Sequence, residues 1–169
     1  MENINQLYLI GMMGSGKSST GKTLSLILNW DFIDIDNEIS RTHNSTINEL
    51  FLDGEKRFRE IEFQELKKHS LRNNTIFAVG GGAVTHQDSY DMLSSKNCIY
   101  LKTSNSILLN RLKDDNSRPL LNVKNKSEVL NQIMNQREQK YVALSKNEVI
   151  TDNQSIQDNC NQIMEIING

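Results

Sequence analysis

A single proline, one tryptophan and two cysteines are all that 169 residues contain of these types. Cys98 and Cys160 stand far apart and no C-x-x-C spacing occurs, which excludes a disulfide framework and a thiolate metal site. They read as buried thiols in a reducing compartment. No apolar run approaches the roughly 18 residues that a membrane helix requires. Met1-Glu2-Asn3 offers neither the basic start nor the apolar core of a secretion signal, so a cytoplasmic location is expected. Basic residues do not predominate either. A net charge of −2 argues against a protein whose main partner is nucleic acid, although one nucleotide needs only a local cationic cluster. Internal repeats and low-complexity linkers are absent too. What remains is a chain with 37% hydrophobic residues, long enough for one domain with its own core (residues 1–169), and monomeric by default.

The most informative stretch runs from Gly11 to Ser18, G-M-M-G-S-G-K-S. Glycines at its first and sixth positions, followed by Lys17 and Ser18, fit a phosphate-binding loop. Such a loop needs several backbone N–H groups aimed at one point, and glycine permits the close approach and positive φ this takes. Lys17 supplies a charge for the β- and γ-phosphates, and Ser18 a hydroxyl for magnesium. The flanks agree: Gln6–Ile10 has strand character, and Leu24, Ile27 and Leu28 recur at helical spacing.

Strand-like runs near 6–10, 31–35, 75–79, 98–101 and 149–151 alternate with helical stretches. This rhythm predicts an α/β fold, a five-stranded parallel sheet with helices on both faces, whose ligands gather at the carboxyl ends of the strands. The residues just past each strand are therefore candidates for a site. Asp34-Ile35-Asp36 would turn two carboxylates to one side of an extended chain, for magnesium and for a substrate hydroxyl. The alternative is a solvated acidic turn with Asp36 capping the next helix. Residues 47–71 read as helix broken near Gly54. Within it Glu62 falls on the apolar stripe and needs Arg59 as partner, so the pair is either an anchor for an anionic substrate or a surface ion pair. Gly80-Gly81-Gly82 after the third strand suits a ligand lying against bare backbone, or a flexible turn.

Arg118 and the lone Pro119 lie in a polar stretch of about 114–126, either a lid over the transferring phosphate or a plain surface loop. The helix expected from Ser127 places Arg137 on its apolar side, where it must pair with ligand or protein. His43, His69 and His86 sit in polar surroundings and read as surface residues.

From Gly11 through Tyr141 the assembled set resembles the shikimate kinases. The resemblance rests on G-M-M-G-S-G-K-S-S-T-G, D-I-D, G-E-K-R-F-R-E-I-E, the triple glycine, S-R-P-L-L and R-E-Q-K-Y, in this order. It implies a three-layer phosphate-loop kinase with a mobile lid and substrate-binding helices at about 37–72, using ATP and Mg²⁺ to phosphorylate the 3-hydroxyl of shikimate. It further implies that Gly14, Ser15, Gly16, Lys17, Ser18, Ser19, Arg111 and Arg118 serve ATP, and that Ser18 and Asp34 serve the metal. Asp36, Arg59, Gly80, Gly81, Gly82 and Arg137 would then bind shikimate, with Lys17, Asp36 and Arg118 catalytic. One departure stands out. Where many family members carry an arginine after the last strand, this chain has Thr151-Asp152-Asn153-Gln154-Ser155. Two competing expectations are a gluconate- or nucleoside monophosphate-type kinase and a non-enzymatic nucleotide-dependent interaction module.

Overall fold

Alternation along the first strand, β1 (Gln6–Ile10), divides the molecule into layers. Leu7 and Leu9 face one way, Tyr8 and Ile10 the other, and all four are buried. In the computed structural model, which describes residues 4–115, 117–121 and 123–169, five strands form one parallel sheet in the order β2-β3-β1-β4-β5. The other four are β2 (Asp31–Asp34), β3 (Thr75–Ala78), β4 (Cys98–Lys102) and β5 (Ser145–Ile150).

The helices are α1 (Lys17–Leu28), α2 (Ile35–His43), α3 (Ile47–Phe51), α4 (Glu55–His69), α5 (Gln87–Ser94), α6 (Asn105–Leu112), α7 (Lys126–Leu144) and α8 (Ile156–Asn168). Leu7, Leu9, Leu24, Val149, Cys160 and Ile163 join α1 and α8 to one face of the sheet. Tyr8, Ile10, Phe58, Phe77, Tyr100 and Tyr141 belong to a larger core on the other face, which takes in α2, α4, α5, α6 and α7. Each fully buried leucine or isoleucine contributes about 1.5–3 kcal/mol. The three-layer α/β arrangement expected from the sequence is therefore what forms. Among the described residues no helix is long and apolar enough to cross a membrane.

Several boundaries differ from expectation. β2 stops at Asp34, because Ile35 already begins α2. β3 ends one residue early, at Ala78. β5 starts four residues before the expected Val149, and its first residues are largely exposed. It is an edge strand paired only to β4, so no hydrophobic alternation marks it. The break near Gly54 is real: Gly54 has φ 96° and stands at the N-cap of α4. α7 begins at Lys126, capped by Asn125 rather than by Ser127.

His69 is not a surface residue. It is buried between α2 and α4, with Nε2 3.4 Å from both Glu38 and Glu65. The stretch expected to be a polar lid carries a short 3-10 turn, Pro119–Leu121, whose Leu121 is buried in the larger core. Asn116 and Asn122 of that stretch, and residues 1–3 of the expected domain, lie outside the described residues.

Candidate active site

The loop between β1 and α1 turns on three glycines with positive φ: Gly11 at 139°, Gly14 at 79° and Gly16 at 92°. Gly16 is the N-cap of α1, and no side chain caps the helix. The first N–H groups of α1 therefore converge with the positive end of its dipole on one spot, a ready anion site. Lys17 folds back so that Nζ donates to Gly11 O at 2.9 Å and Met12 O at 2.8 Å. Burial pulls its pKa down to about 8, helped by the Arg118 charge and partly offset by Asp36 and Asp34. Ser15 is buried, with its hydroxyl beside Gly11, and Ser19 is exposed on the first turn of α1.

A cleft of about 440 Å³ opens over this loop. Ser15, Ser18 and Ser19 line it at the loop, Asp34 and Asp36 on one side, and Arg111, Gln154, Ile156 and Asn159 on the other. Arg111 donates to Gly14 O at 3.0 Å and to Thr151 O at 3.2 Å, so it straps the loop to the segment after β5. Gln154 belongs to the segment where the sequence departs from the family's arginine, whereas sequence reasoning does not single out Ile156 or Asn159. Nothing in the residue types of those two marks them, and only the fold brings α8 to this wall.

Asp34 and Asp36 do not lie side by side on a strand. Asp34 is the N-cap of α2, its carboxylate accepting from Asn37 N at 3.2 Å, and Asp36 sits in the first helical turn. The acidic turn of the alternative reading is thus present, but Asp34 and not Asp36 is the cap. Both carboxylates nevertheless face the loop. Ser18 Oγ donates to Asp34 Oδ2, and Arg118 Nη1 stands 3.5 Å from Asp36 Oδ2. Asp115 steadies Arg118 from behind, at 3.4 Å from Nε. Burial is the main reason that Asp36 sits above the usual carboxylate range; the Asp34 charge adds to it, while Arg118, Lys17 and Arg59 oppose it.

Ser18 and Asp34 fit a magnesium ion that arrives with a nucleotide. They offer two adjacent oxygens at the mouth of the anion site, and a hard cation of this size takes a few protein oxygens with phosphate and water completing its shell. Among the described residues no group of three or more His, Cys, Asp or Glu could hold a metal without such help.

Beyond Asp36 a second, small cavity is walled by Phe51, Phe58, Arg59, Glu62, Gly80–Gly82 and Arg137. Arg59 is no surface residue. It is buried, its Nη1 donates to the fully buried Glu62 at 2.8 Å, and its guanidinium lies against the Phe58 and Phe51 rings. Burial works against the Arg59 charge, but Glu62 and Glu55 outweigh it and raise its pKa. Glu62 is itself raised by burial and by Asp36.

Arg137 is also buried, and its Nε and Nη1 have no hydrogen-bond partner among the described residues. Buried donors of this kind are costly unless something accepts from them. Tyr141, one turn on, donates from its hydroxyl to Gly81 O at 2.5 Å and so ties α7 to the glycine segment. Glu55, which sequence reasoning passes over, accepts from Arg59 at 2.9 Å and lies 3.8 Å from Arg137. Its place four residues before Arg59 is the available signal.

The triple glycine has a packing cause of its own. None of Gly80, Gly81 and Gly82 has positive φ. A Cβ on Gly80 would overlap Glu62 Oε1, and one on Gly82 would overlap the Arg59 guanidinium. The bare backbone thus admits the chain's own ion pair, and a ligand would meet that pair. Gly81 packs against the phosphate loop, where a Cβ would lie 3.2 Å from Gly11 O and Met13 N.

Known proteins resemble this one over most of its length. A family model for shikimate kinase matches residues 13–168. A shikimate kinase of Prochlorococcus marinus is 40% identical over 134 residues, covering 78% of this chain and 70% of that one. The solved structure of shikimate kinase from Acinetobacter baumannii in complex with shikimate superimposes with a TM-score of 0.95. It is 32% identical and covers 98% of this chain and 94% of that one. A gluconokinase from Sinorhizobium meliloti, at a TM-score of 0.61 and 14% identity, shares the fold alone (96% of this chain, 95% of that one).

Replacing Gly80 by alanine tests the packing account. The added methyl must displace the Glu62 carboxylate, and overpacking of this kind costs about 1–3 kcal/mol. A lowered denaturation midpoint in urea is the expected result, with an unchanged midpoint showing that Glu62 and Arg59 do not need the bare backbone.

Proposed function

The chain belongs to the shikimate kinase family, and from that premise we propose that it transfers the γ-phosphoryl group of ATP to the 3-hydroxyl of shikimate, giving shikimate 3-phosphate on the way to chorismate and the aromatic amino acids. The observation that carries the acceptor's identity is the pair of buried guanidinium groups, Arg59 and Arg137, opening into one cavity beside Asp36. Two planar forks in a dry pocket recognise a carboxylate in bidentate fashion. A gluconate- or nucleoside monophosphate-type kinase is the competing reading, and only the fold supports it.

In this reading the loop from Gly14 to Ser19 wraps the phosphates of ATP, and Lys17 follows the β- and γ-phosphates. Arg111 borders the base, on a wall that Gln154 and Asn159 share. Magnesium, held by Ser18 and Asp34, would neutralise charge on the phosphates when bound. Asp36 accepts a hydrogen bond from the attacking hydroxyl and takes up its proton. Its raised pKa suits this, since a carboxylate nearer neutrality is a better proton acceptor. Arg118 spans both sides: its contact with Asp36 puts a positive charge where phosphate oxygens would gain negative charge during transfer. The segment around Pro119–Leu121 acts as a lid that moves with it. Gly80, Gly81 and Gly82 line the ring of the acceptor. A cytoplasmic monomer that binds no nucleic acid completes the reading, consistent with the modest net charge.

A coupled assay of ADP release with ATP and magnesium tests the proposal. Turnover should depend on shikimate and be lost in Lys17→Ala. Arg137→Ala removes charged hydrogen bonds worth about 1.5–3 kcal/mol, so KM for shikimate should rise about 10- to 100-fold with far less change in KM for ATP. ATP turnover indifferent to shikimate would count decisively against the assignment.

The dependence of kcat/KM for ATP on pH should be bell-shaped. On the alkaline side it should fall near pH 8, where unliganded Lys17 loses its proton and its charge. On the acid side Asp36 must be ionised to act. Because its pKa is raised, and it is coupled to Glu62, activity should decline at a higher pH than for an exposed aspartate. An acid limb at the ordinary aspartate value would show that Asp36 is not the titrating group.

A further inference from the structure

Glu55 occupies an unusual position for an exposed residue. Its side chain is 44% exposed, yet its Oε1 accepts from Arg59 Nη2 at 2.9 Å and Nε at 3.3 Å. Those two nitrogens form the edge of a guanidinium that grips a carboxylate. The remaining Nη1 is already committed to Glu62, which is fully buried and has nowhere to go. The same Glu55 oxygen lies 3.8 Å from Arg137 Nη2. One internal carboxylate therefore sits on the edge of one guanidinium and beside the other, where an acceptor's carboxylate would bind. The cavity behind the two arginines, walled also by Arg118, Pro119 and Leu120, is small, about 50 Å³, room for a few waters and not for a six-membered ring.

We propose that Glu55 is an internal competitor for the acceptor's carboxylate, and that its displacement sets both the affinity for shikimate and the selection of acids over neutral polyols. The inference rests on the reading of Arg59 and Arg137 as the carboxylate site. Charge balance supports displacement. Arg59 and Arg137 face Glu55 and Glu62, two charges of each sign. A further carboxylate added with Glu55 in place would leave a net negative charge in a dry pocket, which is costly. Glu55 can leave cheaply. It is the first residue of α4, directly after Gly54 with φ 96°, so it can swing toward solvent and still lie near the positive end of the helix dipole. A neutral polyol gains too little from the arginines to replace it.

The test compares wild type, Glu55→Gln and Glu55→Ala, with Arg137→Ala as reference, using shikimate and its neutral methyl ester. Steady-state kinetics and calorimetric titration of each acceptor are the readouts. Removing a half-exposed ionic competitor should lower KM and Kd for shikimate about fivefold, with kcat within about twofold of wild type. The ester, which cannot displace Glu55 in the wild type, should gain more than about fivefold in both Glu55 variants, so that the preference for the acid narrows. A KM for shikimate that is unchanged or raised in Glu55→Gln, while Arg137→Ala still raises it, would overturn the competitor role and leave the carboxylate site standing. An unchanged KM in Arg137→Ala would remove that site and the inference with it.

Discussion

The buried ion pair between Arg59 and Glu62 is the constraint on which the acceptor side of this molecule depends. Taking two charges out of water costs several kcal/mol each, and the cost is offset only by close mutual pairing with further partners around them. The chain meets that requirement with a specific set of neighbours. Phe51 and Phe58 offer ring faces to the guanidinium, Glu55 covers its outer edge, and Gly80 and Gly82 withdraw all side-chain bulk. The pair thereby fixes α4 against the end of β3. Tyr141 fixes α7, and with it Arg137, to the same glycine segment. Three elements distant in sequence are registered against one another by charged and polar contacts, not by apolar packing alone.

The nucleotide side is built differently. Its geometry follows from a local backbone conformation, three glycines with positive φ and an uncapped helix start, and needs few long-range partners. The two sides meet through charge. Lys17 and Arg118 each lie within the field of Asp36, and Asp36 in turn raises Glu62. Parallel strand order explains why they meet at all. β1 and β3 are neighbours with their carboxyl ends on one edge, so the loop after β1 and the glycines after β3 face each other across Gly81.

How much of this the chain reveals in advance varies with the range of the interaction. The phosphate loop is legible because all its determinants lie within eight residues. Arg137 is legible because its spacing from Met134 and Tyr141 puts it on an apolar face. Arg59 leans toward a surface ion pair when read from sequence, since spacing along α4 cannot show that Gly80–Gly82 and two phenylalanines cover it. For the same reason the room that Gly80 and Gly82 leave for Glu62 and Arg59 cannot be seen in the sequence. His69 reads wrongly as a surface residue because its burial depends on how α2 crosses α4. β5 is visible only in part because an exposed edge strand carries no alternation. The geometry of Asp34 and Asp36 is misjudged because a helix cap and an extended pair share the same spacing.

A crystal structure of the complex with ADP, magnesium and shikimate bears most directly on the claim that the two halves form one reaction site. The account requires the acid's carboxylate between Arg59 and Arg137, the 3-hydroxyl beside Asp36 and facing the nucleotide, and the Arg59–Glu62 pair unbroken. Shikimate bound elsewhere, with Glu55 still on the outer edge of Arg59, would contradict it.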